Sequence, residues 1–152
     1  MHAPQELRPF FVTTVTAKRL PIFRASANCD LMLEIFAQDQ ARGRYPLHAV
    51  VIMPDHLHVL LTPHEDLSLE KAVQFIKGGF SFRHKRPGAL WERSFTERRI
   101  KDVGDYETHR TYIENNPVKA GLPSATNEFP HSSATRGDLV ADPPLHLQTP
   151  RG

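Results

Sequence analysis

Cysteine is nearly absent: Cys29 stands alone in 152 residues, so no disulfide can close within the chain. One thiol fits a reducing cytoplasm, and no motif around Cys29 supports a nucleophile, so a buried residue at a helix start is the expectation. Long apolar runs are missing as well. None approaches the roughly 20 residues that a membrane-spanning helix needs, and Met1-His2-Ala3-Pro4-Gln5-Glu6 does not read as a secretion signal. There are no internal repeats. With 39% apolar and 24% charged residues, the composition is that of one soluble globular domain with a real core.

Acids are scarce in one region. Between Lys71 and Lys101 there are nine basic residues against Glu92 and Glu97, a local net charge of +7 within a chain whose formal total is +2. Such a stretch is often no more than a solvated face. Here Phe75, Phe80, Phe82, Trp91 and Phe95 are interleaved with the cations, a mixture that suits single-stranded nucleic acid, although some of these rings must serve the core.

Phe10 to Thr16, β-branched and aromatic, predicts a first strand, broken at Lys18-Arg19-Leu20-Pro21. Ala27 to Ala41 predicts a helix through Leu31, Leu33, Ile35, Phe36 and Ala37, capped by Asn28 or Ser26 and ended by Gly43. Tyr45–Met53 and His56–Leu61 predict two strands joined as a hairpin by Pro54-Asp55. Ser68 caps a second helix, which Gly78-Gly79 weakens, and Pro87-Gly88 begins a loop. Ser94–Lys101 predicts a fourth strand anchored by Phe95 and Ile100. Asp105–Asn115 predicts a third helix that Asn116-Pro117 stops. The order β-α-β-β-α-β plus a helix predicts an α+β, ferredoxin-like fold: an antiparallel sheet with helices on one face and the other free for function. Residues 1–122 form the domain. Residues 123–152, with five prolines and few large apolar side chains, read as a flexible or extended tail.

The chemistry centres on His56-Leu57-His58 inside the run Ala49 to Leu61. Alternation along a strand sends both imidazoles to one face, about 6–7 Å apart. Two polar rings among Val, Ile and Leu are costly unless satisfied, and a bound cation satisfies them as well as packing at a sheet edge does. Asp55 is either the turn residue or an acceptor for a ligating histidine, and the turn role is favoured. The second element is Tyr112 with Asn116, four apart and therefore on one helix face. Alone, Tyr112 reads as an amphipathic core tyrosine.

Together, His48–Leu61, Asp66–Lys71, Leu90-Trp91-Glu92-Arg93 and Tyr112–Leu122 resemble the single-tyrosine HUH transposases, specifically the branch associated with repetitive extragenic palindromes (REP). The resemblance spans about residues 10–122 and does not cover the tail. It implies that His56, His58 and Asn116 hold Mg²⁺ or Mn²⁺. Related insertion-sequence transposases place a glutamine where Asn116 stands. It further implies that Tyr112 is the nucleophile, forming a 5′-phosphotyrosine and a free 3′-hydroxyl. The partner would be single-stranded DNA carrying hairpins, followed by Arg83, Lys85, Arg86, Arg93, Arg98 and Arg99, with Lys18-Arg19 and Arg24 joining them. No general base is named. His64, His84 and His109 are read as surface or phosphate contacts only. Monomer and homodimer both stay open.

Two other readings compete. A non-catalytic nucleic-acid-binding module explains the basic and aromatic residues but leaves the His pair and the Tyr112–Asn116 spacing as coincidence. A metal-dependent hydrolase using water keeps the histidines and makes Tyr112 incidental, yet Val59-Leu60-Leu61-Thr62 offers no further ligand.

Overall fold

The computed structural model describes residues 7–119, 139–144 and 147, with side chains in the last helix described through Asn116. Four strands, β1 (Phe10–Val15), β2 (Leu47–Met53), β3 (His56–Leu61) and β4 (Thr96–Arg99), form one antiparallel sheet in the order β2-β3-β1-β4. That order, with helices α1 (Ser26–Ala41) and α2 (Leu69–His84) as crossovers, is the ferredoxin-like arrangement expected from the sequence. Among the described residues no helix is long and apolar enough to cross a membrane.

The second sheet face is not free. Helix α3 (Val103–Lys119) lies across it and buries Tyr106 and Ile113 against Ala49, Val51, Met53 and Leu60. On the opposite face, Val12, Val50, Ile52, Leu57, Val59 and Leu61 join the cores of α1 and α2. Every residue of β2 is buried, as a strand covered on both sides must be. A bulge between Leu47 and Ala49 shifts the phase of β2, so Leu47 and Val50, three apart, face the same core.

Local signals explain most boundaries. Ser68 caps α2 by accepting from the Lys71 backbone N–H at 3.1 Å. Gly43 takes the left-handed turn that ends α1, at φ 73°. The α1 cap differs from expectation: Ala25 occupies the position without a side-chain bond, and Asn28 instead donates to the Ile22 carbonyl at 2.8 Å. Helix α2 runs through Gly78-Gly79, and Gly79 lies against α1, where a Cβ would stand 3.2 Å from Ile35 Cγ2. Helix α3 starts earlier than expected, with Asp102 accepting from the Asp105 N–H at 2.8 Å. It also continues past Pro117 to Lys119, since a proline in the last turn removes one ladder bond without forbidding the turn.

Two described pieces of the stretch read as a flexible tail are packed. Leu139 is buried in the first core, its carbonyl accepting from Gln40 Nε2 at 2.8 Å. Ala141 N–H donates to the Leu47 carbonyl at 2.6 Å along the outer edge of β2, and Leu147 is buried in the second core. Residues 123–138, 145–146 and 148–152 lie outside the described residues. Cys29 is buried in the first turn of α1, its thiol donating to the Phe23 carbonyl and pushed up to about 11 by burial and then by Asp30.

Candidate active site

Register decides which side chains share a face. Thr13 is opposite His58, Val15 opposite His56, and Phe11 is opposite both Leu60 and Arg98. Partners directly across an antiparallel pair project to the same side, so Phe11, Thr13, His56, His58, Thr96 and Arg98 all lie on the α3 face. The intervening Leu57 goes to the other core. The two histidine rings stand 4.8 Å apart between centroids, edge to face at 74°.

Each imidazole has one nitrogen committed. His58 Nδ1 is 2.7 Å from Thr13 Oγ1, and His56 Nδ1 is 2.7 Å from Asp55 Oδ1. Asp55 is therefore both the turn residue and the histidine's partner, and Arg19 pairs with its second oxygen at 3.3 Å. Burial alone would raise the Asp55 carboxyl, but hydrogen bonds from His56 and Arg19 outweigh it and hold the group below its ordinary value. His58 is 7% exposed and pushed down to about 4, first by burial and then by His56, so it is neutral at physiological pH. A proton on Nδ1 of each ring, donated to Asp55 and to Thr13, would leave the basic lone pair on Nε2.

Helix α3 brings Tyr112 to this pair. Its ring is 5.6 Å from that of His58, and both lie against Phe11, at 5.8 Å and 5.4 Å. Tyr112 is 41% exposed, so the ring that meets His58 also reaches the surface. Asn116 follows one turn later and is half-buried. The sequence reading missed Phe11, the aromatic floor on which these rings rest, and Thr13, which orients His58. Their only signal was alternation in Phe11-Val12-Thr13-Thr14-Val15, meaningful once the strand's neighbours are known.

The six basic residues expected to follow DNA are all exposed but do not form one surface. Arg98 is on the α3 face and pairs with Asp105 at 3.6 Å; Arg99, its neighbour on β4, points the other way, beside Arg8, Phe10 and Ser68. Arg83 pairs with Glu34 of α1 at 3.1 Å, and Lys85 and Arg86 follow at the end of α2. Arg93 borders a cleft with Gln74, Lys77 and Phe95. Of the interleaved aromatics, Phe80 and Trp91 are core, whereas Phe82 is 80% exposed. Lys77 donates to the Glu92 carbonyl at 2.7 Å and so serves the fold. Among the other histidines, His64 is exposed, His84 stacks on Phe80, and His109 lies against Phe11 beside the site.

The sheet order and the histidine pair facing a helix-borne tyrosine agree with one family of transposases. A family model described as "Transposase IS200 like" matches residues 10–116, and the chain belongs to that family. Among its relatives is a chain from Haemophilus influenzae assigned as a REP-associated tyrosine transposase, 32% identical over 122 residues, which cover 70% of this chain and 69% of that one. The REP-associated tyrosine transposase of Escherichia coli strain K12 is 30% identical over 93 residues, covering 60% and 56%. The solved structure of a REP-associated tyrosine transposase bound to a REP hairpin superposes with a TM-score of 0.72 at 25% identity, covering 90% of this chain and 85% of that one. A Deinococcus radiodurans crystal structure assigned to the transposases shares the fold, with a TM-score of 0.50 at 22% identity, covering 76% and 95%.

Proposed function

We propose that this chain cleaves and rejoins single-stranded DNA beside hairpins of the REP type, using Tyr112 as the nucleophile. The observation that carries the reading is the approach of the Tyr112 ring to within 5.6 Å of His58 of the same chain. In this reading Tyr112 acts beside the histidines of its own chain. The phenol oxygen attacks phosphorus, the bond to the 3′-oxygen breaks, and a 5′-phosphotyrosine and a 3′-hydroxyl result. Because the phosphoester is conserved in the adduct, a 3′-hydroxyl can reverse the step and join strands.

The donor set supports a divalent cation. Thr13 and Asp55 engage both Nδ1 atoms, leaving Nε2 lone pairs on two imidazoles with centroids 4.8 Å apart, the second-partner pattern of ligating histidines. His56, His58 and the amide oxygen of Asn116 would hold Mg²⁺ or Mn²⁺. When bound, the ion supplies charge neutralisation and orientation at the scissile phosphate. Phe11 holds the Tyr112 and His58 rings together, and Arg98, on the same face, offers a cation to the strand's backbone.

The test uses a labelled single-stranded hairpin oligonucleotide with Mg²⁺ or Mn²⁺, resolved on a denaturing gel. A protein–DNA adduct is expected from the wild type and not from Tyr112→Phe. Cleavage to free ends that survives Tyr112→Phe would replace this reading with hydrolysis by water. Binding without metal-dependent cleavage would leave only a binding module.

A further inference from the structure

We propose that His109, held by Asp105, accepts the phenolic proton of Tyr112 during attack. This rests on the strand-transfer reading above and supplies the general base that reading lacks. His109 and Tyr112 are three residues apart on α3, hence neighbours on its surface. Both rings lie on Phe11, with centroids 5.0 Å and 5.8 Å from it. His109 Nδ1 is 2.8 Å from the Asp105 carbonyl oxygen and 3.2 Å from its carboxylate.

The carboxylate beneath His109 is itself fixed. Asp105 Oδ2 accepts from the Lys101 N–H at 2.9 Å, and Arg98 approaches Oδ1 at 3.6 Å. Both members of the pair are largely withdrawn from water, with side chains 13% and 12% exposed. A proton on Nδ1 has its acceptors in Asp105, so the lone pair is on Nε2. This is a carboxylate–imidazole arrangement placed one helical turn before a phenol that must lose a proton. Among the described residues, the charged and titratable groups around His109 are Asp105 and Arg98, Tyr112 one turn further along α3, and His58 beyond Phe11.

The proton balance closes. As the Tyr112 oxygen bonds to phosphorus, its proton passes to His109 Nε2; the electron pair of the broken bond leaves on the 3′-oxygen, which takes a proton from water. In-line displacement sets attacking and leaving oxygens on opposite sides, so one imidazole serves only the attacking side. Asp105 stabilises the imidazolium, which returns the proton to the phenolate when strands are rejoined.

The experiment is single-turnover adduct formation on the labelled hairpin with Mn²⁺, for wild type, His109→Gln and Tyr112→Phe. His109→Gln is expected to slow the reaction about 100-fold with DNA binding unchanged, and to flatten the acid limb of the pH–rate profile. Replacing Tyr112 by difluorotyrosine, whose more acidic phenol needs less help, is expected to restore at least about tenfold in the His109→Gln background. A role in packing alone would respond to neither. His109→Gln within twofold of wild type, or slowed without rescue by the acidic phenol, overturns the proposal. Adduct formation by Tyr112→Phe would overturn the strand-transfer reading itself, whereas its loss beside an unimpaired His109→Gln removes only the His109 role.

Discussion

His58 should make the fold sensitive to acid. In the unfolded chain its imidazole has the ordinary value of 6.5; in the folded protein burial and the neighbouring His56 hold it at about 4. Between those two values the unfolded state binds a proton that the native state refuses. The stability tied to His58 is therefore fully present above pH 6.5 and lost as pH falls toward 4. At 1.36 kcal/mol for each tenfold step, the loss at pH 4.5 is about 2.5 kcal/mol. Urea unfolding of the apo-protein in a chelator, at pH 7 and pH 4.5, measures it. His48, 2% exposed and lowered first by burial, works in the same direction, as does the lowered Asp55 carboxyl, so the comparison must be internal. His58→Gln, which does not titrate, should lose about 2–3 kcal/mol less than the wild type between the two pH values. Equal losses in both proteins would refute the argument, because the ring would then accept its proton without cost in the folded state.

Two further substitutions separate the parts of the molecule. Asp55→Asn removes the carboxylate from His56 Nδ1 and from Arg19, and should weaken Mn²⁺ binding about 10–100-fold in calorimetry with the circular dichroism unchanged; undiminished affinity would mean that the Asp55 contact does not tune a ligand. Leu139→Ala truncates a side chain 8% exposed in the first core and should cost about 2–3 kcal/mol in chemical denaturation. A loss under about 0.5 kcal/mol would mean that the 139–144 piece contributes nothing to stability.

Alternation and turn chemistry were enough to read the sheet. The element order and the shared face of His56 and His58 follow from the sequence, because strand periodicity is local and each apolar run is bounded by a turn. The covering of the second face was written there too, in Ala49-Val50-Val51-Ile52-Met53, five apolar residues without the alternation a half-exposed strand would show. That signal is easily lost, because helix α3 has few apolar positions, and among its described residues Tyr106 and Ile113 alone are buried deeply. The β2 bulge blurred the pattern further by putting Leu47 and Val50 on one side. The Asp105–His109 pair was visible as an i,i+4 spacing. Its nearness to Tyr112 and Phe11 depends on how α3 lies across the sheet, a tertiary fact with no local mark.

That orientation follows from packing. Tyr106 and Ile113, seven apart, form the stripe of α3 that presses on the sheet, and His109 lies near the same stripe. Tyr112 is one residue, about 100°, from Ile113, which carries it to the flank where Phe11 and His58 lie. Slipping the helix by a single residue would turn the phenol about 100° away from the histidines. The two large buried side chains therefore do more than stabilise α3. By fixing the rotation of the helix, they determine that the side chain meeting His58 is Tyr112 and not the neighbouring Thr111 or Ile113.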